Sequence, residues 1–114
     1  MPNQGRTAER LARIYLRLKG YRILQADYIT GRGTHAGEID IIARRGRTLI
    51  FAEVKKRATI EQAAYAISET QRQRIRRGAE AYLQRHPQYA KHNLRFDAIL
   101  VQLPLTVKHI KNAF

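Results

Sequence analysis

The chain has 114 residues, 44% of them apolar, and 22 Lys and Arg against 9 Asp and Glu give a net charge of +13. That length fits one domain over residues 1–114 with a single modest core, and so basic a balance points to a polyanionic partner, nucleic acid before anionic membrane. There is no cysteine, which excludes disulfides and thiolate metal sites, and no apolar run nears the ~20 residues of a membrane span.

The opening residues, Met1 to Arg6, lack the apolar stretch of a signal peptide, so a cytoplasmic protein is expected. Residues 7–19 read as a helix. Ala8, Leu11, Ala12, Tyr15 and Leu18 share one face, Arg10, Arg13 and Arg17 form the opposite stripe, and Glu9 falls at the seam. Gly20 is placed to end it. Residues 21–25 form a short strand candidate, followed by a loose segment through His35.

Two strands follow, 38–44 and 47–55, with Arg45-Gly46 as the tight turn between them. Ile39, Ile41 and Ala43 line one face of the first, and Ile50, Ala52 and Val54 the matching face of the second. Ile42, Leu49 and Phe51 lie on the other side, so the sheet is expected to be covered on both faces. Thr59 with Gln62, and Ser68 with Gln71, fit the capping-box pattern. They predict a short helix at 60–67 and a longer one at 69–86, closed by Pro87. In the longer helix Ile75, Ala79, Tyr82 and Leu83 face the core, and Arg72, Arg76 and Arg77 face out. Residues 94–103 read as a strand inside the sheet, stopped by Pro104. The predicted architecture is an α/β domain, a four- to five-stranded mixed sheet with helices on both faces.

The chemistry concentrates in Glu38-Ile39-Asp40 and Glu53-Val54-Lys55. Residues two apart on a strand share a face. With a turn at Arg45-Gly46, Glu38 lies opposite Glu53 and Asp40 opposite Phe51, so Glu38, Asp40, Glu53 and Lys55 project to one side. Asp40 and Glu53 are then diagonal neighbours, roughly 7–8 Å apart at Cα. Acids crowded on one face repel one another, and a Mg²⁺ or Mn²⁺ ion removes the conflict. Such an ion lowers the pKa of a bound water and offsets charge on a phosphate. Lys55 would orient the water or stabilise developing negative charge. Glu9 could reach the same site and hold the ion's water shell. Phosphate contacts are expected from Arg10, Arg13, Lys56, Arg57, Gln71 and Arg72. Asp97 is expected to pair with a nearby arginine. His35, His86, His92 and His109 show no ligand spacing and read as exposed or capping residues.

At these residues the chain resembles the YraN family of bacterial proteins, predicted endonucleases distantly similar to archaeal Holliday junction resolvases. The likeness runs through Gly5, Glu9, Ala12, Tyr15-Leu16, Gly20-Tyr21, Gly37-Glu38-Ile39-Asp40, Phe51 to Arg57, Arg95-Phe96-Asp97 and the closing His109 to Phe114. It implies a restriction-endonuclease-like fold and the nuclease motif Asp40…Glu53-Val54-Lys55. Asp40, Glu53 and the Val54 carbonyl would hold the metal, Lys55 would be the catalytic lysine, and Glu9 the supporting helix acid. Lys56 stands where that family usually has Thr, and Gln71 near where it has lysine; the metal motif is intact.

The expected function is therefore a metal-dependent nuclease acting on DNA, including branched DNA, with a homodimer suited to cutting two strands. The alternatives are a non-catalytic nucleic-acid-binding module that keeps the fold, and a basic adaptor for a ribosome or membrane surface. A pure binder has no reason to aim acids at phosphates, and an adaptor would show no metal dependence.

Overall fold

The structure is a computed structural model that describes residues 4–31, 36–56, 67–102 and 106–114. Helix α1 spans Gln4–Leu18 and is followed by strands β1 (Arg22–Thr30), β2 (Gly37–Arg45) and β3 (Thr48–Lys56). Helix α2 (Glu69–Arg85) leads through a 3₁₀ turn at Pro87–Tyr89 into β4 (Asn93–Gln102) and β5 (Thr106–Ile110). The sheet order is β1-β2-β3-β4-β5. Among the described strands only β3 and β4 pair in parallel. Parallel neighbours need a long crossover, and α2 lies within it.

The two faces are covered as the apolar pattern requires. Under α1, Ala8, Ala12 and Leu16 pack on Ile41, Ala43, Ile50, Ala52, Val54, Ile99 and Val101. Under α2, Ile75, Ala79 and Tyr82 pack on Ile39, Ile42, Leu49 and Phe51. Each fully buried Ile, Leu or Phe contributes about 1.5–3 kcal/mol. The α1 stripe is centred one step away from the expected one: Leu16 is fully buried, whereas Leu18 is 82% exposed. The chain reverses at Gly20, and Tyr21 takes the buried place beneath the helix end, its N–H donating to the Leu16 carbonyl at 2.9 Å. On α2 the Ser68–Gln71 capping box is present, each backbone N–H donating to the other's side chain at 3.1 Å. Arg76 is exposed, but Arg72 and Arg77 do not simply face out. Arg72 lies over the Phe114 ring, and Arg77 donates to the Ala36 carbonyl at 3.2 Å.

The β2–β3 turn falls one residue later than expected. Arg45 pairs with Thr48, so the turn residues are Gly46 and Arg47. Gly46 has φ +60°, and glycine takes that left-handed conformation without steric cost. The register moves by two residues, so the side-chain faces are kept, but opposites change. Ile41 pairs with Ala52, so this register, continued by one position, would bring Asp40 opposite Glu53 rather than diagonal to it.

Strand β1 extends well beyond the expected residues 21–25. It pairs with β2 through a register shift between Ile23 and Gln25, then in constant register with Ala26 opposite Ile41 and Tyr28 opposite Ile39. Asp27, between them, has φ +51°. Both strands turn over at that level. Ile41 and Ala43 pack toward α1, whereas Ile39, expected beside them, packs toward α2. Strand β5 was not anticipated; Lys108 and His109 obscure the alternation of its five residues. The predicted helix at 60–67, its Thr59–Gln62 box and the segment 32–35 fall outside the described residues, apart from Ile67.

Candidate active site

The β2–β3 ladder ends at Ile41–Ala52, and the strands part there. The Asp40 carboxylate takes the next backbone donor, accepting from the Val54 N–H at 2.8 Å. Glu53, 8% exposed, sits across from it. Lys55 lies 3.4 Å from the Glu53 carboxylate, and both side chains are largely buried. Burial pushes the Asp40 carboxyl up to about 8, helped by a hydrogen bond and charge from Glu53; the Val54 N–H and Lys55 pull the other way. Without a cation, this environment favours the protonated form of Asp40 at neutral pH.

A second acidic group meets Asp40 from the α1 side. Carboxylate oxygens of Glu9, Asp27 and Asp40 all lie within 4.8 Å of one another. Burial pushes Glu9 up to about 7, followed by the charge of Asp40 and a hydrogen bond and charge from Asp27, with Arg13 partly offsetting them. Asp40 thus stands between Glu9–Asp27 and Glu53–Lys55. Sequence reasoning missed Asp27 because the strand was ended at Gln25. The signal was an Asp within Ile23 to Ile29, since Asp is depleted in strands and tolerates the left-handed conformation found here.

Glu38, exposed on β2, does not join this contact group. Together with Glu53, Gln71, Arg74 and Ile75 it lines a hollow of about 40 Å³ beneath α2. Arg74 went unnoticed in the sequence, where it looks like one more arginine in a basic helix. Gln71 reaches the rim, its side-chain oxygen engaged with the Ser68 N–H. Of the other expected phosphate contacts, Arg13 is half-buried beside Glu9, Arg10 is exposed on α1, and Lys56 is half-buried at the end of β3. Arg57 lies outside the described residues. Arg72 is turned to Phe114, its Nε buried without a hydrogen-bond partner among the described residues. A larger, open hollow of about 260 Å³ lies elsewhere, between the end of β1 and α2, lined by Thr30, Gly31, Arg77 and Glu80 among others.

Asp97 pairs with arginine as expected and is fully buried. Arg95 Nε donates to it at 2.9 and 3.1 Å, and the Arg95 guanidinium also donates to the Tyr21 hydroxyl at 2.7 Å. His109 Nε2 lies 2.7 Å from Asp97, and the Asn112 N–H donates at 3.0 Å. Burial alone would raise the Asp97 carboxyl; His109, Arg95 and the Asn112 N–H together hold it below the usual range. His109 is therefore not the exposed or capping residue expected: its side chain is 3% exposed. His86 does cap a helix, its Nδ1 lying 2.8 Å from the Tyr82 carbonyl at the end of α2.

A mixed five-stranded sheet with a helix on each face, and acids where two strands part, define an α/β protein of restriction-endonuclease-like fold. Residues 8–101 match the family described as uncharacterised protein family UPF0102, the YraN family of the resemblance above, and the chain belongs to that family. It is similar to a UPF0102 protein of Paramagnetospirillum magneticum, 48% identical over 97% of this chain and 86% of that protein. Similar proteins occur in Bradyrhizobium diazoefficiens, at 46% over 96% of this chain and 80% of the relative, and in Methylorubrum extorquens, at 47% over 97% and 84%. The matched stretch contains Glu9, Asp27, Asp40, Glu53 and Lys55. Among the described residues no helix is long and apolar enough to cross a membrane.

Proposed function

We propose that this protein is a metal-dependent nuclease that hydrolyses phosphodiester bonds in DNA, branched DNA included. The observation that carries the reading is Asp40, held by the Val54 N–H between the acids Glu9 and Asp27 on one side and Glu53 on the other. A fold has no structural need to bring Glu9, Asp40 and Glu53 together out of full contact with water, with the exposed Asp27 beside them. Their repulsion costs free energy that a cation recovers.

The donor set fits a hard divalent ion, since every side-chain donor is a carboxylate oxygen. Asp40, Glu53 and the Val54 carbonyl would hold Mg²⁺ or Mn²⁺, with Glu9 reaching its water shell and Asp27 adding charge on the α1 side. Such an ion supplies a water of lowered pKa and offsets charge on the phosphate. Lys55 is kept near the chemistry by Glu53. Its ammonium orients the attacking water or stabilises the negative charge that develops on the phosphate oxygens. As the water oxygen bonds to phosphorus, the phosphorus–ester oxygen bond breaks; the water releases one proton to solvent and the departing oxygen takes one up from it.

Cutting both strands of a duplex would use a homodimer. A cytoplasmic location accords with the absence of cysteine.

The test is incubation of the protein with linear, branched and single-stranded DNA and with RNA, in Mg²⁺, Mn²⁺ or EDTA, beside Glu53→Ala and Lys55→Ala. Metal-dependent cleavage lost in both variants supports the enzyme. Binding without cleavage under any condition overturns it in favour of a binding module.

A further inference from the structure

Along the four elements that build the site the acids sit toward one end, with Arg6, Arg10 and Arg13 flanking Glu9 on α1 and Lys55 and Lys56 following Glu53 on β3, and the opposite end of each carries cations without an acid. In α1, Glu9 lies toward one end and Arg17 at the other, with Lys19 just beyond. β1 runs from Arg22 to the level of Asp27, β2 from Asp40 to Arg44 and Arg45, and β3 from the turn residue Arg47 to Glu53. No Asp or Glu occurs between Glu9 and Asp27, or between Asp40 and Glu53. The pairing aligns these ends: Arg22 lies opposite Arg44, and Arg45 donates to the Lys19 carbonyl at 3.0 Å. In β1–β3 the acids gather at one end, with Lys55 and Lys56 beside them, whereas the other end, around the β2–β3 turn, carries arginines and no acid.

The fold does not need this basic end. Like charges directly opposite one another on a sheet are destabilising, yet Arg22 faces Arg44. Arg45 has a structural role, lying 4.5 Å over the Tyr21 ring and holding the end of α1. Arg10, Arg17, Lys19, Arg22 and Arg47 are exposed, and among the described residues none makes an ion pair. Six residues of strand separate Asp40 from Gly46, or about 20 Å at ~3.3 Å per residue. Along α1, Glu9 and Lys19 are about 15 Å apart at 1.5 Å per residue.

We propose that the exposed cations of α1 and the β2–β3 turn form a phosphate-binding track that holds an arm of the nucleic-acid substrate up to about 20 Å from the acidic site. The inference deepens the nuclease reading and takes its substrate class from it. A nucleic-acid strand spaces its phosphates ~3.4 Å apart along the helix axis, so the track spans about six nucleotides from the scissile bond. Charge supplies affinity and register here without sequence readout.

The test measures duplex DNA binding by fluorescence anisotropy in EDTA, where cleavage plays no part, as a function of salt. Each phosphate contact contributes about 0.9 to the slope of log K against log salt. Arg22→Ala/Arg47→Ala should lower that slope by about 2. Lys108→Ala/Lys111→Ala removes the same charge from the β5 end of the chain and should leave the slope near that of the parent. Duplexes with an arm shorter than about six base pairs should bind parent and Arg22→Ala/Arg47→Ala alike. Thermal melting checks that both variants are folded, and should show Arg22→Ala/Arg47→Ala at least as stable as the parent. An unchanged slope, an equal fall in the two double variants, or binding to anionic vesicles but not to DNA overturns the track. A slope that falls as expected in a protein that never cleaves leaves the track standing and removes the nuclease reading. Cleavage with an unchanged slope does the reverse.

Discussion

The Val54 N–H donates to the Asp40 carboxylate at 2.8 Å, where the next bond of the β2–β3 ladder would otherwise form. A side chain thereby replaces a backbone acceptor and becomes fixed between two strands. The exchange leaves Val54 N–H satisfied, as a buried donor must be. It also forces a carboxylate into the sheet, beside Glu53 and within reach of Glu9 and Asp27.

The first prediction concerns pH. Asp40 is pushed up to about 8 and Glu9 to about 7, both well above the usual carboxyl range. The folded, metal-free protein therefore binds more protons than the unfolded chain across that interval. This contribution to stability is complete below the ordinary carboxyl pKa and is lost as pH rises through about 7–8. Melting temperature in EDTA should fall from about pH 5 to about pH 9. Asp40→Asn, which keeps the shape without the charge, should flatten the curve. It should also raise stability at the alkaline end by a few kcal/mol at most, since each tenfold change in proton affinity is worth about 1.4 kcal/mol. Mn²⁺ should raise the alkaline melting temperature of the parent by mass action, and do so much less in Asp40→Asn. A flat profile in the parent would refute the crowding of these acids.

Lys55→Ala should reduce metal-dependent cleavage by about 10²–10³-fold, the range for loss of one preorganised charge-stabilising group. Lys55 also opposes the rise of the Asp40 carboxyl, so its removal should steepen the alkaline loss of stability in EDTA. Single-turnover rates and melting curves on the same variant separate the two effects. Cleavage that survives at the parental rate would remove Lys55 from the chemistry.

Gly37 and Gly78 let α2 approach β2 closely. A Cβ on Gly37 would stand 2.5 Å from the Gly78 nitrogen and 2.7 Å from its Cα. Both are backbone atoms, so the clash cannot be relieved by a rotamer change. Gly37→Ala should cost about 1–3 kcal/mol or more, read as a shifted urea midpoint. The hollow lined by Glu53, Gln71 and Arg74 lies beneath the same helix, so cleavage should fall with stability. An unchanged midpoint would mean that the helix stands further off.

Periodicity and punctuation made the fold largely legible. Apolar residues on both sides of β3 required two covered faces, and Ser68 with Gln71 marked the start of α2. The turn was misplaced by one residue because the turn position that needs positive φ fixes where the glycine falls, and the strand pattern alone does not. Glu53 and Lys55 were legible because a simple period of two governs β3. Asp27 and the packing of Ile39 were not, since both depend on strands turning over, a tertiary effect without local signature. His109 was missed for a similar reason. Its partners Asp97, Tyr15 and Tyr21 are distant in sequence and meet only when β5 adds to β4.

That last cluster has a pH dependence of opposite sign. Asp97 is held below the usual range, so its contribution is present above the ordinary carboxyl pKa and is lost as pH falls through its lowered folded value. The protein should thus lose stability at both extremes, through Asp97 in acid and through Asp40 and Glu9 in alkali. Asp97→Asn removes the negative partner of Arg95 and His109 in a fully buried position. Breaking one side of a buried ion pair costs about 3–5 kcal/mol, because the remaining charge is left without compensation. The loss should be directional. Asp97 also accepts from the Asn112 N–H, and the Ala113 N–H donates to the Phe96 carbonyl next to it. Limited proteolysis of Asp97→Asn should therefore cut first within residues 106–114, while a segment containing Glu9, Asp40 and Glu53 stays protected. Cleavage beginning instead in α1 or the β2–β3 hairpin would show that Asp97 supports the whole sheet rather than its last strand.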